Sequence, residues 1–263
     1  MGCARFASVS AGFAALVVLL PACSSSNRRA PTVFSAQGAL WQVKPSGDVF
    51  ITAGSKPGTA TNADVSSSLG LDTERTWTGR VALDLDTQRF SLEALPLHLH
   101  GTTNADKNFT FHGAGYGGGD SITTDLNLDT WIAKWEVGTS TSAKTADAIR
   151  GGIGLYWWHF DSQVVDGTNG SDESRKFSHL YPSVNGSATL DAGHGLRIEF
   201  ATAFAATGRK RQIRDLSAAL GYQLSDAVDL SLGYRYLRFD FDESTNDGDF
   251  DLRGPFTALQ IRF

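Results

Sequence analysis

The last ten residues of the chain read GPFTALQIRF, from Gly254 to Phe263, and they alternate between two kinds of side chain. Leu259, Ile261 and Phe263 share one parity, and Gln260 and Arg262 share the other. A period of two is typical of a β-strand with one apolar face, because successive side chains of a strand point to opposite sides. The stretch therefore predicts a terminal strand, although a soluble β-sandwich could end in the same way.

An amphipathic strand that ends on an aromatic residue resembles the C-terminal assembly signal of bacterial outer-membrane β-barrels. The resemblance implies that Leu259, Ile261 and Phe263 form this signal. It also implies that the barrel-assembly machinery is a partner during biogenesis, and that outer-membrane lipid surrounds the folded chain.

The first 23 residues predict export. Arg5 precedes a short apolar run, Gly12 to Leu20, which is too short to span a bilayer and fits a cleaved signal peptide. The following LPAC resembles the lipobox of bacterial lipoproteins, which implies cleavage before Cys23 and its acylation. Ordinary cleavage nearby, with Cys23 lost or unmodified, is the alternative. Residues 24–36 are then a polar tether and residues 37–263 the barrel domain.

Composition excludes several classes of protein. The formal net charge is −5 and no polybasic tail occurs, so a nucleic-acid partner is not expected. Both cysteines, Cys3 and Cys23, lie in the leader, so the mature chain has neither a disulfide nor a cysteine metal site. No later stretch reaches the ~20 apolar residues of a membrane helix. If the protein is integral, it must therefore be a barrel.

Alternating segments separated by turn residues predict a transmembrane, antiparallel, up-and-down β-barrel of about ten strands, with eight possible. The first segment, 37–52, is interrupted at residues 45–47 by a bulge or bend. The even count places both chain ends in the periplasm. The long loops 53–72, 101–120 and 166–176 all follow odd-numbered strands, as extracellular loops should.

One strand changes its pattern along its length. Its first apolar residues are Leu230, Leu232, Tyr234 and Tyr236, and its later ones are Leu237, Phe239 and Phe241. Either the strand leaves the lipid and packs inward above the membrane, or a bulge shifts its register.

Charged side chains fall on the parity that should face the lumen. They are Arg80, Asp84, Glu93, Lys134, Glu136, Arg150, Arg197, Glu199, Asp215 and Arg235. A small barrel has little room beyond its own side chains, so a salt-bridged interior is expected. A narrow polar pore is the alternative. Nothing in the spacing marks a catalytic acid or base.

The histidines are the remaining candidates for chemistry. The topology places His98, His100, His112, His159 and His179 near the outer rim and His194 in a periplasmic turn. No carboxylate or cysteine spacing turns them into a metal site, so neither a metal nor another cofactor is expected. Omptin proteases are ten-stranded barrels expected to use an Asp pair and an Asp–His pair, but only Asp161 near His159 faintly matches. Aromatic belt or wall packing accounts for Trp131, Trp135, Trp157 and Trp158.

Four stretches together are similar to an uncharacterised family of bacterial outer-membrane β-barrel proteins. They are residues 64–101, LGYQL at 220–224, LSLGYRYLRFDFD at 230–242, and the last ten residues. The resemblance implies fold and location but no activity. The prediction is a non-enzymatic integral outer-membrane barrel with a structural or narrow-pore role. A rim enzyme and a lipid-anchored periplasmic barrel that binds an apolar ligand remain alternatives.

Overall fold

The structure is a computed structural model that describes residues 32–51, 61–85, 87–138, 148–207, 211–242 and 246–263. The predicted signal peptide and Cys23 lie outside the described residues. None of the described segments forms a helix that could span a bilayer.

Strands account for nearly all of the described chain. Ten of them form one sheet that closes on itself: β1 (Thr32–Ile51), β3 (Glu74–Leu85), β4 (Gln88–Asn104), β7 (Ser121–Gly138), β8 (Ala148–Asp166), β9 (Asp172–Gly193), β10 (Leu196–Ala206), β11 (Arg211–Gln223), β12 (Val228–Asp242) and β13 (Asn246–Arg262). Three short strands lie in the loops: β2 (Ala63–Asp64), β5 (Phe109–Phe111) and β6 (Ala114–Tyr116).

The barrel is closed by its first and last strands. β1 pairs antiparallel with β13, from Ser35 opposite Arg262 to Ile51 opposite Asn246, and every other wall strand pairs with its sequence neighbours in the wall. Closure removes the unpaired sheet edges that lipid would not tolerate. The predicted antiparallel barrel is therefore confirmed, with ten strands rather than eight.

The first strand differs in two ways from its prediction. β1 begins at Thr32, so residues 32–36 belong to the wall rather than to the tether. Of the two alternatives predicted for residues 45–47, a bulge or a bend, the bulge is excluded, since the register with β13 stays constant through them. Gly47 is needed there because its φ is +122° and an added Cβ would lie 2.1 Å from the backbone oxygen of Asp249.

The outward face carries an apolar belt around the lower and middle barrel. Its exposed members include Val81, Leu92, Trp135, Ile153, Val184, Phe200, Leu220, Leu232 and Leu259. Because successive side chains of a strand point to opposite faces, the residues between these belt positions point into the lumen. Exposed apolar residues on every side of a barrel are stable only in lipid.

β12 leaves the lipid without a bulge. Its register with both neighbours is unbroken, and Leu237, Phe239 and Phe241 are at most 2% exposed inside the barrel. The outward residues at this height are Arg238 and Asp240. The inward-packing alternative is therefore confirmed for this strand.

The strands extend well beyond a bilayer. A tilted transmembrane strand needs about 9–11 residues, whereas β8 has 19 and β9 has 22. The predicted loop 166–176 is shortened accordingly to residues 167–171. Much of the barrel therefore stands outside the membrane, on the side of the long loops.

The wall contains a seam between β3 and β4. These strands pair only from Gly79 to Leu85, opposite Gln88–Ala94. On the extracellular side of Gly79, β3 pairs only with β1, and β4 pairs only with β7. Across the seam, the Thr76 hydroxyl donates to the Pro96 carbonyl. Farther out, Leu71 bridges to Gly101, where an added Cβ would lie 2.1 Å from the Gly70 oxygen. In this part of the wall, side-chain and loop contacts replace the backbone hydrogen bonds between β3 and β4.

We expect Thr76→Val to lower the free energy of unfolding by about 1 kcal/mol, because the Pro96 carbonyl loses its donor. Urea unfolding in detergent micelles, followed by tryptophan fluorescence, measures this change. Thr78→Val is the matched control, since Thr78 is the next inward residue of β3. Equal stability of the two variants would show that the seam does not depend on this bond.

Candidate functional site

Arg235 organises the middle of the barrel interior. Its guanidinium binds Asp215 in a bidentate manner, at 2.9 Å from Nε and 2.7 Å from Nη2, and donates from Nη1 to Glu93 Oε1 at 2.5 Å. Glu93 also accepts from Arg80 Nη2 at 3.0 Å. Arg235, Asp215 and Glu93 are all buried, so each charge depends on its partners.

Aromatic side chains hold this charged centre in place. The Tyr156 hydroxyl donates to Asp215 Oδ2 at 3.0 Å. The Arg235 guanidinium carbon lies 5.5 Å from the Trp41 ring centroid, and Lys134 Nζ lies 5.9 Å from that of Tyr156. A cavity of about 40 Å³ beside these residues has room for water but not for a larger solute.

Further ion pairs lie toward the periplasmic end. Asp84 lies 3.2 Å from Arg89 Nε and 3.5 Å from Arg150 Nη2. Asp229 pairs with Arg197 at 2.5 Å and also with Arg262. These pairs join strands that are neighbours in the wall as well as strands that are not.

The structure directs all ten residues of the predicted lumen network inward. Arg80, Glu93, Lys134, Asp215 and Arg235 meet in one cluster, Asp84 and Arg150 in a second, and Arg197 in a third. Glu136 accepts from Ser187 Oγ at 3.1 Å, and Glu199 lies against Gly221. Sequence reasoning omitted Arg89, Tyr156, Asp229 and Arg262 from the network, although all four have inward parity.

An apolar core fills the barrel beyond the charged centre. Trp158 stacks on Phe239 with ring centroids 4.9 Å apart and meets Phe177 edge-on at 5.6 Å. Phe160, Tyr181 and Phe241 also contact the Trp158 ring. The core also contains residues of β4 and of β7, the neighbour of β8: Leu95, Leu97, Leu99, Leu128 and Ile132. The lumen is therefore polar below and apolar above.

Two extracellular loops cover this core. The β5–β6 hairpin buries Phe109, Phe111 and Tyr116, and the Tyr116 hydroxyl donates to the Val164 carbonyl at 3.2 Å. The turn that follows β2 buries Val65 and Leu69. The apolar core thus continues into a cap at the extracellular mouth.

Most rim histidines lie outside the barrel. His98, His100 and His159 project outward and bond to Asn127, Asp125 and Ser178, at 2.6, 2.7 and 2.7 Å. His112 binds Glu173 at 2.8 Å in the cap, His179 packs inward between Phe177 and Tyr181, and His194 occupies the turn between β9 and β10. The described residues contain no group of three or more metal-ligating side chains.

The faint omptin-like pair does not form. Asp161 binds Lys176 Nζ at 2.7 Å, whereas His159 binds a serine. Both residues share the outward parity of β8, so neither faces the covered mouth. Of the four tryptophans predicted for belt or wall, Trp131, Trp135 and Trp157 lie on the outer surface and Trp158 lies in the core.

The residues of the predicted assembly signal lie on the outward face of β13. Leu259, Ile261 and Phe263 are exposed, and Phe263 contacts Phe34 of β1 with ring centroids 5.8 Å apart. Their role in assembly stays a prediction, as does the acylation of Cys23.

No family model and no curated protein matches the chain. Among solved structures it is similar to the outer-membrane protease OmpT from Escherichia coli, with 9% identity, 90% of this chain and 99% of that chain covered, and a TM-score of 0.53. Neisserial surface protein A (NspA) is 12% identical, with 88% of this chain and 97% of that chain covered and a TM-score of 0.37. The transport unit of the autotransporter AIDA-I from Escherichia coli is 9% identical, with 94% of each chain covered and a TM-score of 0.41. At sequence identities this low, the similarity extends to the fold alone.

A closed antiparallel barrel with a continuous lipid-facing belt defines the class of the molecule. The chain is an integral outer-membrane β-barrel protein. Its membership of one particular uncharacterised family stays a prediction.

Proposed function

We propose that this protein is a non-conducting, non-enzymatic scaffold of the outer membrane. Its interior would fix the shape of the barrel, and its extended outer half would hold the extracellular loops above the membrane. The proposal rests mainly on the order of layers inside the barrel. From the middle toward the extracellular mouth, a charged centre is followed by an apolar core and then by the cap.

The two layers oppose conduction for different reasons. In the charged centre, Arg235 is held by two carboxylates and the Trp41 ring, so its side chain has little freedom to move aside. In the apolar core, an ion would have to shed its hydration shell among Trp158, Phe239 and Phe241, which is strongly unfavourable. A narrow polar pore would need a continuous polar path, and these aromatic rings interrupt it.

The absence of enzymatic activity rests on a different argument. A rim enzyme would need an acid, a base or a nucleophile gathered at an accessible cleft. Here His98, His100 and His159 bond to side chains on the outer surface, and His179 packs among aromatic rings. His112 binds Glu173 within a mouth that the aromatic residues of the cap occupy, so no open cleft among the described residues surrounds this pair. This arrangement favours the scaffold over the rim enzyme.

We expect the folded protein to give no stepwise conductance in planar lipid bilayers at 1 M salt. Heat-modifiability on a gel, comparing boiled and unboiled samples, first verifies that the reconstituted protein is a closed barrel. An open general porin in the same bilayers serves as the positive control. Reproducible steps from folded protein would reject the scaffold proposal and replace it with the narrow pore.

A further inference from the structure

Three basic side chains meet on the outer surface of the wall, where β13, β1 and β3 run side by side. Lys44 of β1 stands directly opposite Arg253 of β13 in the strand pairing. Arg75 of β3 stands opposite Gln42, the adjacent outward residue of β1, and is therefore a diagonal neighbour of Lys44. All three basic side chains are exposed.

None of these three side chains makes an ion pair or a hydrogen bond with another described residue. The nearest outward carboxylate along β13, Asp251, already accepts from the Tyr236 hydroxyl at 2.9 Å and lies 3.6 Å from Arg238. Glu74, beside Arg75 in sequence, has the opposite parity and points inward. Like charges directly opposite each other in a sheet destabilise it, so an external anion would relieve a real cost.

Two other outward cations, Arg238 and Lys176, are neutralised within the protein, whereas Arg214 bonds to the neutral Gln212. Arg238 binds Asp240 at 2.6 Å and Asp249 at 2.8 Å. On the far side of the barrel, Lys176 binds Asp161 at 2.7 Å. The cluster of Lys44, Arg75 and Arg253 differs from Arg238 and Lys176 in having no counter-charge among the described residues, and it brings three basic side chains together.

The depth of the cluster points to its ligand. Trp77, the next outward residue of β3 below Arg75, is 68% exposed and pairs with Leu40 of β1. Exposed tryptophans mark the boundary between hydrocarbon and headgroups. The cluster therefore lies just outside the hydrocarbon, on the extracellular side, at the level of lipid phosphates.

We propose that Lys44, Arg75 and Arg253 bind the phosphate group of an anionic lipid in the outer leaflet. The two guanidinium groups can each bind phosphate oxygens in a bidentate manner, and the lysine adds a point charge. Gln42, which is exposed between them, supplies a neutral donor. The lipid's acyl chains would follow the apolar wall beneath Trp77.

The test uses the folded full chain in neutral detergent micelles, titrated with phosphatidic acid or phosphatidylcholine and followed by native mass spectrometry. A cation close to an anionic lipid surface contributes about a fivefold gain in affinity. The K44Q/R75Q/R253Q variant should therefore bind phosphatidic acid about a hundredfold more weakly. Its binding of phosphatidylcholine should stay unchanged.

Lys176→Gln is the matched control, because it removes an outward cation that already has an acidic partner. Competition by inorganic phosphate distinguishes a site for any phosphate from one that needs the whole lipid. The proposal is overturned if the triple variant retains phosphatidic acid like the wild type, or if the wild type binds both lipids equally. Heat-modifiability verifies that each variant is folded.

Discussion

Arg235→Leu is expected to lower the free energy of unfolding by about 3–5 kcal/mol, because two carboxylates lose the charge that compensates them in a buried place. Glu93 and Asp215 would keep only weaker cationic neighbours, chiefly Arg80 and Lys134. Urea unfolding in phosphatidylcholine vesicles measures the loss. The variant should also lose the gel mobility of the folded form at a lower sample temperature than the wild type.

Arg214→Leu is the control for this experiment. Arg214 lies on β11 beside Asp215, but it points outward and is exposed, so its loss should change stability by no more than about 0.5 kcal/mol. Adding Glu93→Gln and Asp215→Asn to Arg235→Leu should restore part of the stability, since the uncompensated charges are then removed. Equal effects of the two arginine substitutions would contradict a central role for Arg235.

The alternation of side chains was sufficient to predict the wall of this barrel. Outward residues such as Leu220 and Leu232 and inward residues such as Asp215 and Arg235 are distinguished by parity alone, because a strand has a period of two. The start of β1 was missed because residues 32–36 do not alternate clearly. Their place in the wall is fixed by pairing with β3 and β13, which are distant in sequence.

The interior was harder to predict than the wall. Parity directs Glu93, Asp215 and Arg235 inward, but which carboxylate meets which arginine depends on the stagger between strands that are not neighbours. The apolar core was predicted only at Leu237, Phe239 and Phe241, where one strand changes its pattern. Its closure by Phe111 and Tyr116 depends on how a long loop folds back, and local sequence does not encode that.

Trp158→Ala is expected to cost about 3–5 kcal/mol of unfolding free energy, the range for truncating a large aromatic residue in a packed core. The ring has four phenylalanine neighbours, with centroids between 4.9 and 6.0 Å away, so little of the cavity can collapse. Its Nε1 has no hydrogen-bond partner among the described residues. The expected loss is therefore one of packing, and Trp158→Phe should recover much of it.

Trp157→Ala provides a control one residue away on the same strand. Trp157 is 54% exposed on the outer surface, where lipid fills the space that a truncated side chain leaves. We expect its effect to be well under half that of Trp158→Ala when both variants are unfolded in the same vesicles. A larger effect at Trp157 would mean that β8 is turned by one residue, because a slip of one position exchanges every inward and outward side chain of a strand. That outcome would remove the apolar core, and with it the physical basis for a closed lumen.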